Sequence, residues 1–286
     1  KLKWIKENQP DLYREADYLL HWAGFVSFML GAEPSLDYAL ANRSLLFDVD
    51  AADWSDRLLA WGELDRAKLP ALRQAGTLIG QVAPAVAEEL GLPAGALIAM
   101  GTHDQCANAV GCGAITGGRA MYGMGTFVCL TPVFDQRPDP ASMISLGLNT
   151  EHHAVPGSYV SFIFNHGGSV LKWYRDTFAA LDRQAAQREG RDIYAELIVE
   201  MPPGLSSILA LPHFAPTGPP EFVDDSSAVL AGLKLETSRG DILKGLLEGI
   251  TFYEREVLDG LPAAGIPVES CRAVGGGSKS DAWLQL

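Results

Sequence analysis

The clearest periodicity in the chain lies at residues 241–258. Ile242, Leu246, Gly249 and Tyr253 fall on one stripe of a 3.6-residue repeat, with Leu243, Leu247, Ile250 and Val257 beside it, which predicts a helix with one broad apolar face. Ser238 and Asp241 make a variant capping box at its start. Ahead of Gly117 and Gly118 the pattern is mostly helical. Leu2, Trp4 and Ile5 open an amphipathic helix that Pro10 and Asp11 interrupt, residues 23–30 form a helix closed by Gly31, and residues 53–64 and 82–90 form two more. Residues 96–100 read as a central strand and 105–113 as a helix rich in Ala and Gly. Beyond Gly118 short apolar or alternating runs predict strands at 120–122, 126–134, 143–148 and 159–164, then helices at 169–180 and 192–200, a strand at 208–213 and a Pro-rich loop at 215–222. The chain closes with a short buried strand at 270–274, a turn at 275–278 and a helix opening at Ser280. Trp4, Trp22, Trp54 and Trp61 are expected in cores or helix packing, where large rings most often lie.

Composition narrows the class. A chain of 286 residues, 48% of them hydrophobic, can bury a substantial core in one or two domains, and the change of pattern divides it into 1–117 and 118–286. The net charge of −13 argues against nucleic acid and acidic membranes as partners, because both reward a basic face. No apolar run reaches the roughly 20 residues of a membrane helix, and the charged helical opening is not that of a signal peptide, so a cytoplasmic location is expected. Cys106, Cys112, Cys129 and Cys271 show no Cys-x-x-Cys spacing and no companion histidines, which disfavours a structural metal and fits reduced thiols. Cys106 is expected to pack.

Candidate chemistry concentrates in glycine-flanked turns. After the apolar run 96–100 come Gly101, Thr102, His103, Asp104 and Gln105, and about twenty residues on come Gly123, Met124, Gly125 and Thr126. An aspartate within hydrogen-bond reach of an attacking hydroxyl accepts its proton, a gain of roughly 10²–10⁴ in rate. Asp104 fits that role, or that of a turn or helix-cap residue. Glycines such as Gly123 and Gly125 leave backbone open to phosphate oxygens, with the Thr126 hydroxyl beside them. Asn165, His166, Gly167 and Gly168 make a third such turn, running into an amphipathic helix. The run Gly275, Gly276, Gly277 and Ser278 between a strand and a helix start either receives a nucleotide or allows tight strand-to-helix packing. His103 either touches substrate, orients Asp104 or is structural; Lys172 either stacks its stem on a base or points into water. Lys279 does not fit the spacing of a P-loop.

Taken in order, these segments resemble the FGGY carbohydrate kinases. Residues 101–126 are similar to the family's strand, catalytic aspartate and Gly-Thr phosphate loop, and 166–176 to its Gly-Gly-x-x-x-x-Trp-x-Arg-Asp segment. Residues 272–286 resemble its adenosine motif, Gly-Gly-Gly-Ser-x-Ser-x-x-Trp-x-Gln, almost letter for letter. Weaker likeness at 1–8, 37–43, 53–56 and 246–252 extends the resemblance over essentially the whole chain. It implies a two-domain α/β fold of the actin and hexokinase (ribonuclease H-like) ATPase type with an interdomain cleft. Residues 1–117 would be the second part of the sugar-binding domain, and 118–286 most of the nucleotide-binding domain. The family's first phosphate loop and many sugar contacts would precede Lys1, and further helix and sheet would follow Gln285.

The resemblance further implies in-line transfer of the ATP γ-phosphoryl to a hydroxyl of a small sugar or polyol, with Asp104 as general base and Gln105 and His103 at the substrate. Gly125, Thr126 and Gly168 would cradle phosphates, while Leu171, Lys172, Gly275, Gly276 and Gly277 would line the adenosine pocket. Mg2+ would bridge the phosphates largely through water, without a dedicated protein site. A homodimer is the candidate assembly. The alternative is a non-catalytic nucleotide-binding relative acting as sensor or scaffold. One departure stands out: where the family often carries Pro-x-x-Asp-x-x-x-Arg-Gly, the loop after Pro220 has Ser227 and Ala228 in place of Arg-Gly, which leaves the sugar open.

Overall fold

The computed structural model describes residues 1–286, which form two compact units: Lys1–Gly111 with Thr150–Val160, and Cys112–Asn149 with Ser161–Leu286.

In the first unit Pro10 both interrupts and restarts the opening helix. Leu2–Asn8 ends before it and Pro10–Glu15 begins on it, since a first-turn position needs no N–H. Trp22–Met29 is followed by Gly31 at φ 110°, the left-handed stop its sequence announces. The strand Ser35–Asp37 pairs in parallel with Ala71–Arg73 and leads into the helix Tyr38–Asn42, capped by Asp37. Leu36, Ala41, Phe47, Trp54, Leu59 and Leu69 form the core beneath them. A smaller core of Ala32, Val82, Ala87 and Ile98 lies under the helix Pro84–Leu90.

Two expectations fail in this unit. Residues 96–100 do not form a central strand: Leu97–Ala99 pairs only with Leu78–Gln81 in an antiparallel ribbon. An unbroken apolar run reads as a strand covered on both faces, but here Ile98 is buried while Leu97 is 64% exposed. Of the four tryptophans assigned to packing, Trp54 is buried and donates to the Pro70 carbonyl, whereas Trp4, Trp22 and Trp61 are exposed. Short helices bury one narrow face, and these rings lie off it.

The segment Thr150–Val160 is an excursion that returns to this unit. Its strands Glu151–His152 and Tyr159–Val160 pair as a hairpin. His152 sits among the rings of Tyr38, Phe47 and Tyr159 and bonds the Val49 carbonyl through Nε2 at 2.9 Å. Arg43 donates to the buried Glu151 carboxylate at 2.6 Å, and Gln74 to the Ala154 carbonyl at 3.2 Å.

The second unit is built on a mixed sheet in the order Val268–Val274, Gly118–Met124, Phe127–Phe134, Ile163–His166. The first pair is parallel and the other pairs antiparallel. Residues 159–164, expected as one strand, thus divide between the two units. The long helix runs Arg239–Gly260, with the Ser238–Asp241 capping box formed in both directions. Leu243, Leu246, Leu247 and Ile250 from it enter one core with Met124, Val128, Val170, Leu171, Tyr174 and Trp283.

Here, too, local signals outvote some readings. Residues 143–148 are not a strand; Pro140–Ser145 is a helix, started by Asp139, whose carboxylate accepts the Ser142 N–H, and by Pro140 in the first turn. The helix Ala180–Glu189 is too polar to show an apolar stripe and lies between the helices expected at 169–180 and 192–200; Gly190 closes it in the left-handed conformation. The strand Val268–Val274 is largely exposed rather than buried, because it has a single neighbour in the sheet order. The four cysteines form no disulfide, and Cys106 is fully buried.

Candidate active site

In the first unit the turn 101–105 presents its aspartate outward. Asp104 opens the helix Asp104–Gly111 with its side chain 83% exposed. The first helical hydrogen bond runs from the Ala107 N–H to the His103 carbonyl, which makes His103 the N-cap. The Asp104 carboxylate accepts the Gln105 N–H at 2.8 Å and lies 3.4 Å from His103 Nδ1. Burial lowers the His103 pKa, and Arg43 lowers it further against the opposing pull of Asp104 and Asp37. The imidazole is therefore neutral at pH 7, and its contact with Asp104 is a dipolar one rather than an ion pair. Gln105 is half-buried beside it.

Beneath this turn lies a buried carboxylate that the sequence had offered only as part of a weak match. Asp37 is 2% exposed. It accepts the Ala39 and Leu40 N–H groups as N-cap and the Thr102 hydroxyl at 2.7 Å. Burial pushes its pKa up, and these hydrogen bonds, that of Thr102 foremost, hold it back. Its partner Thr102 lies 65 residues away, beyond the reach of any local pattern.

In the second unit the three glycine turns meet at Met124, Gly125 and Thr126. Gly168 donates to the Gly125 carbonyl at 2.9 Å, and Gly167 and Ser169 donate to the Thr126 carbonyl at 3.3 and 2.9 Å. A Cβ on Gly168 would stand 2.5 Å from the Gly125 oxygen, so this position must be glycine for the two turns to touch. The third turn closes on the same place from the other side. Gly275, at φ 92°, would bring a Cβ to 2.9 Å from the Met124 oxygen, and a Cβ on Gly277 would press on the Trp283 ring at 2.8 Å. A Cβ on Gly276 would meet open space.

The junction changes what each residue can offer a ligand. The amides of Gly125, Gly167, Gly168 and Ser169 are engaged within the protein, Gly125 with the Phe127 carbonyl at 3.0 Å. Gly125 and Gly168 thus contribute bare, closely packed backbone rather than donors, while Thr126 is exposed. Leu171 is 7% exposed and packs in the core with Met124 and Trp283, whereas Lys172 is exposed on the helix Gly168–Phe178. Met124, on which the Gly275–Gly277 turn packs, has no assigned role in the sequence pattern; its only signal is its place between two glycines.

An α/β chain whose second unit pairs a mixed sheet with a long helix, and gathers glycine turns at the strand ends, has the actin- and hexokinase-like fold. A xylulose kinase structure from Brucella ovis superposes with a TM-score of 0.84 at 25% identity, covering 99% of this chain and 56% of that one. The chain belongs to the FGGY family of carbohydrate kinases: the family's N-terminal domain model matches residues 1–111 and its C-terminal domain model residues 121–286. It is similar to the xylulose kinase of Escherichia coli (25% identity over 293 residues) and to the autoinducer-2 kinase of Klebsiella pneumoniae (26% over 298 residues). Both alignments cover 100% of this chain, which spans 57% and 54% of those proteins.

Proposed function

We propose that this chain carries the proton-accepting turn and the nucleotide-binding turns of an ATP-dependent kinase that phosphorylates a hydroxyl of a small sugar or polyol. The observation that carries the reading is the backbone junction of three glycine turns at Met124–Thr126. It leaves the Gly276 side open to a flat ligand and the Thr126 side chain exposed. Relatives named for xylulose and autoinducer-2 support a small polyhydroxylated acceptor without choosing among them.

In this mechanism Asp104, its side chain exposed at the start of its helix, takes the proton of the attacking hydroxyl. Gln105 hydrogen-bonds the acceptor, and neutral His103 sets the polarity beside the base. Thr126 donates to a phosphate oxygen, and the Gly275–Gly277 backbone receives the adenosine. The nucleotide would bring the leaving group, and a bound magnesium ion would supply charge neutralisation at its phosphates. Such an ion would be carried by phosphate and water, as small hard cations at phosphates generally are. No helix is long and apolar enough to cross a membrane, and we place the enzyme in the cytoplasm, with its supply of ATP.

The test is a panel of pentuloses, hexuloses and polyols assayed for ADP release by the full-length protein, with Asp104→Asn in parallel. The amide is nearly isosteric but cannot accept the proton, so turnover should fall by at least ~10² while ATP affinity is kept. Parental turnover in that variant removes Asp104 from the chemistry. ATP binding without ADP release for any acceptor favours a sensor or scaffold.

A further inference from the structure

The Asp104 carboxylate is 83% exposed, and its own contacts are the neighbouring Gln105 amide and the His103 ring. Nothing buried grips the side chain, so its position is set by the backbone of the turn. On the N-terminal side, Met100 is tied by its N–H to the Thr77 carbonyl at 2.7 Å and by its carbonyl to the Gly76 N–H at 2.8 Å. Gly101 follows, exposed and with open space where a Cβ would stand, and contributes no packing. On the C-terminal side, the fully buried Cys106 anchors the helix. Between these fixed points the Thr102 hydroxyl reaches into the protein and donates to Asp37 at 2.7 Å.

Asp37 is a rigid reference. It is buried, its strand is paired with Arg73 in register, and its two oxygens are held by the Ala39 and Leu40 amides at 3.2 and 3.0 Å. A hydroxyl donating to a carboxylate is among the stronger hydrogen bonds. Thr102 stands two residues before Asp104 and Cys106 two residues after, so the exposed base is slung between a half-buried threonine tied to Asp37 and a buried cysteine.

We propose that Asp37 and Thr102 are positioning residues for Asp104, their hydrogen bond fixing the turn from which the carboxylate projects. The proposal rests on the phosphoryl-transfer reading for its effect on rate, and on geometry alone for its effect on the turn. A base misplaced by about 1 Å loses on the order of 10² in rate without any change in its chemistry.

Thr102→Val is the probe, since it deletes the hydroxyl, keeps the shape and leaves the Asp37 cap intact. In the full-length protein kcat should fall about 10- to 100-fold with the acceptor KM within about twofold, and Thr102→Ser should restore kcat. A purely structural role would lower the unfolding midpoint and leave kcat alone. A Thr102→Val enzyme with parental kcat, measured where Asp104→Asn is inactive, overturns the proposal and spares the kinase reading. Where Asp104→Asn retains turnover, the assignment of Asp104 as the base has failed instead, and a crystal structure of Thr102→Val decides this one. A carboxylate displaced by about 1 Å or split between rotamers upholds it, and one that superposes on the parent refutes it.

Discussion

At Gly276 a methyl group would enter open space, while at Gly275, one residue earlier, it would crowd the Met124 oxygen at 2.9 Å from a backbone already at φ 92°. Adjacent glycines therefore answer different questions. Gly276→Ala should leave the unfolding midpoint within error and weaken ATP binding if the nucleotide lies on that face, whereas Gly275→Ala should destabilise by about 1 kcal/mol or more. Calorimetric titration of ATP into both full-length variants checks this, and unchanged affinity in Gly276→Ala would take the nucleotide off the turn. The triple glycine announced a turn that side chains cannot occupy. Which glycine faces a ligand and which faces Met124 depends on a strand some 150 residues earlier, and no local pattern records it. The same limit explains the tryptophans: the types were plain, but the face covered on each short helix is decided by distant chain.

The helix Arg239–Gly260 shows how much an element's own pattern can disclose. Its stripe and capping box were legible, and both formed. Gly249 was placed on the apolar stripe; less visible was why it is glycine. A Cβ there would stand 2.4 Å from the Ala210 carbonyl oxygen, and one on Gly245 2.7 Å from that of Ile208, so the helix lies directly on the backbone of residues 208–210. Alanine normally gains about 1 kcal/mol over glycine inside a helix; here the clash outweighs that gain. Gly249→Ala should lower the denaturant midpoint, and a raised midpoint would mean the contact is looser than described. Where the pattern was weak, reading failed in a consistent direction. Asp139 and Pro140 were passed over for the apolar residues after them, and a polar helix at Ala180–Glu189 showed no stripe to find.

For the molecule as a whole, one buried acid links stability to pH. Both carboxyl oxygens of Glu254 are buried without hydrogen-bond partners, and burial, helped by the Glu221 charge, pushes its pKa up to about 8. An unfolded glutamate titrates near ~4.3. Between those values the folded chain keeps a proton that the unfolded chain has released, so stability is fullest below the lower value and declines as pH rises to the upper one. The slope from this group is about 1.4 kcal/mol per pH unit. Glu254→Leu should flatten the profile and stabilise most at the alkaline end, as urea midpoints across that range will show; parallel profiles would assign the slope elsewhere. The excursion Thr150–Val160 has a different consequence, for anyone dividing the chain. A cut after Gly111, where the N-terminal family model ends, strips the first unit of the hairpin that holds His152 among its rings and Glu151 against Arg43. The excised piece would keep every residue of the Asp104 turn yet expose an arginine and an aromatic pocket with nothing to fill them. A synthetic peptide spanning 150–160 is then the natural missing half, and its capture by such a fragment would mark the excursion as a detachable wedge.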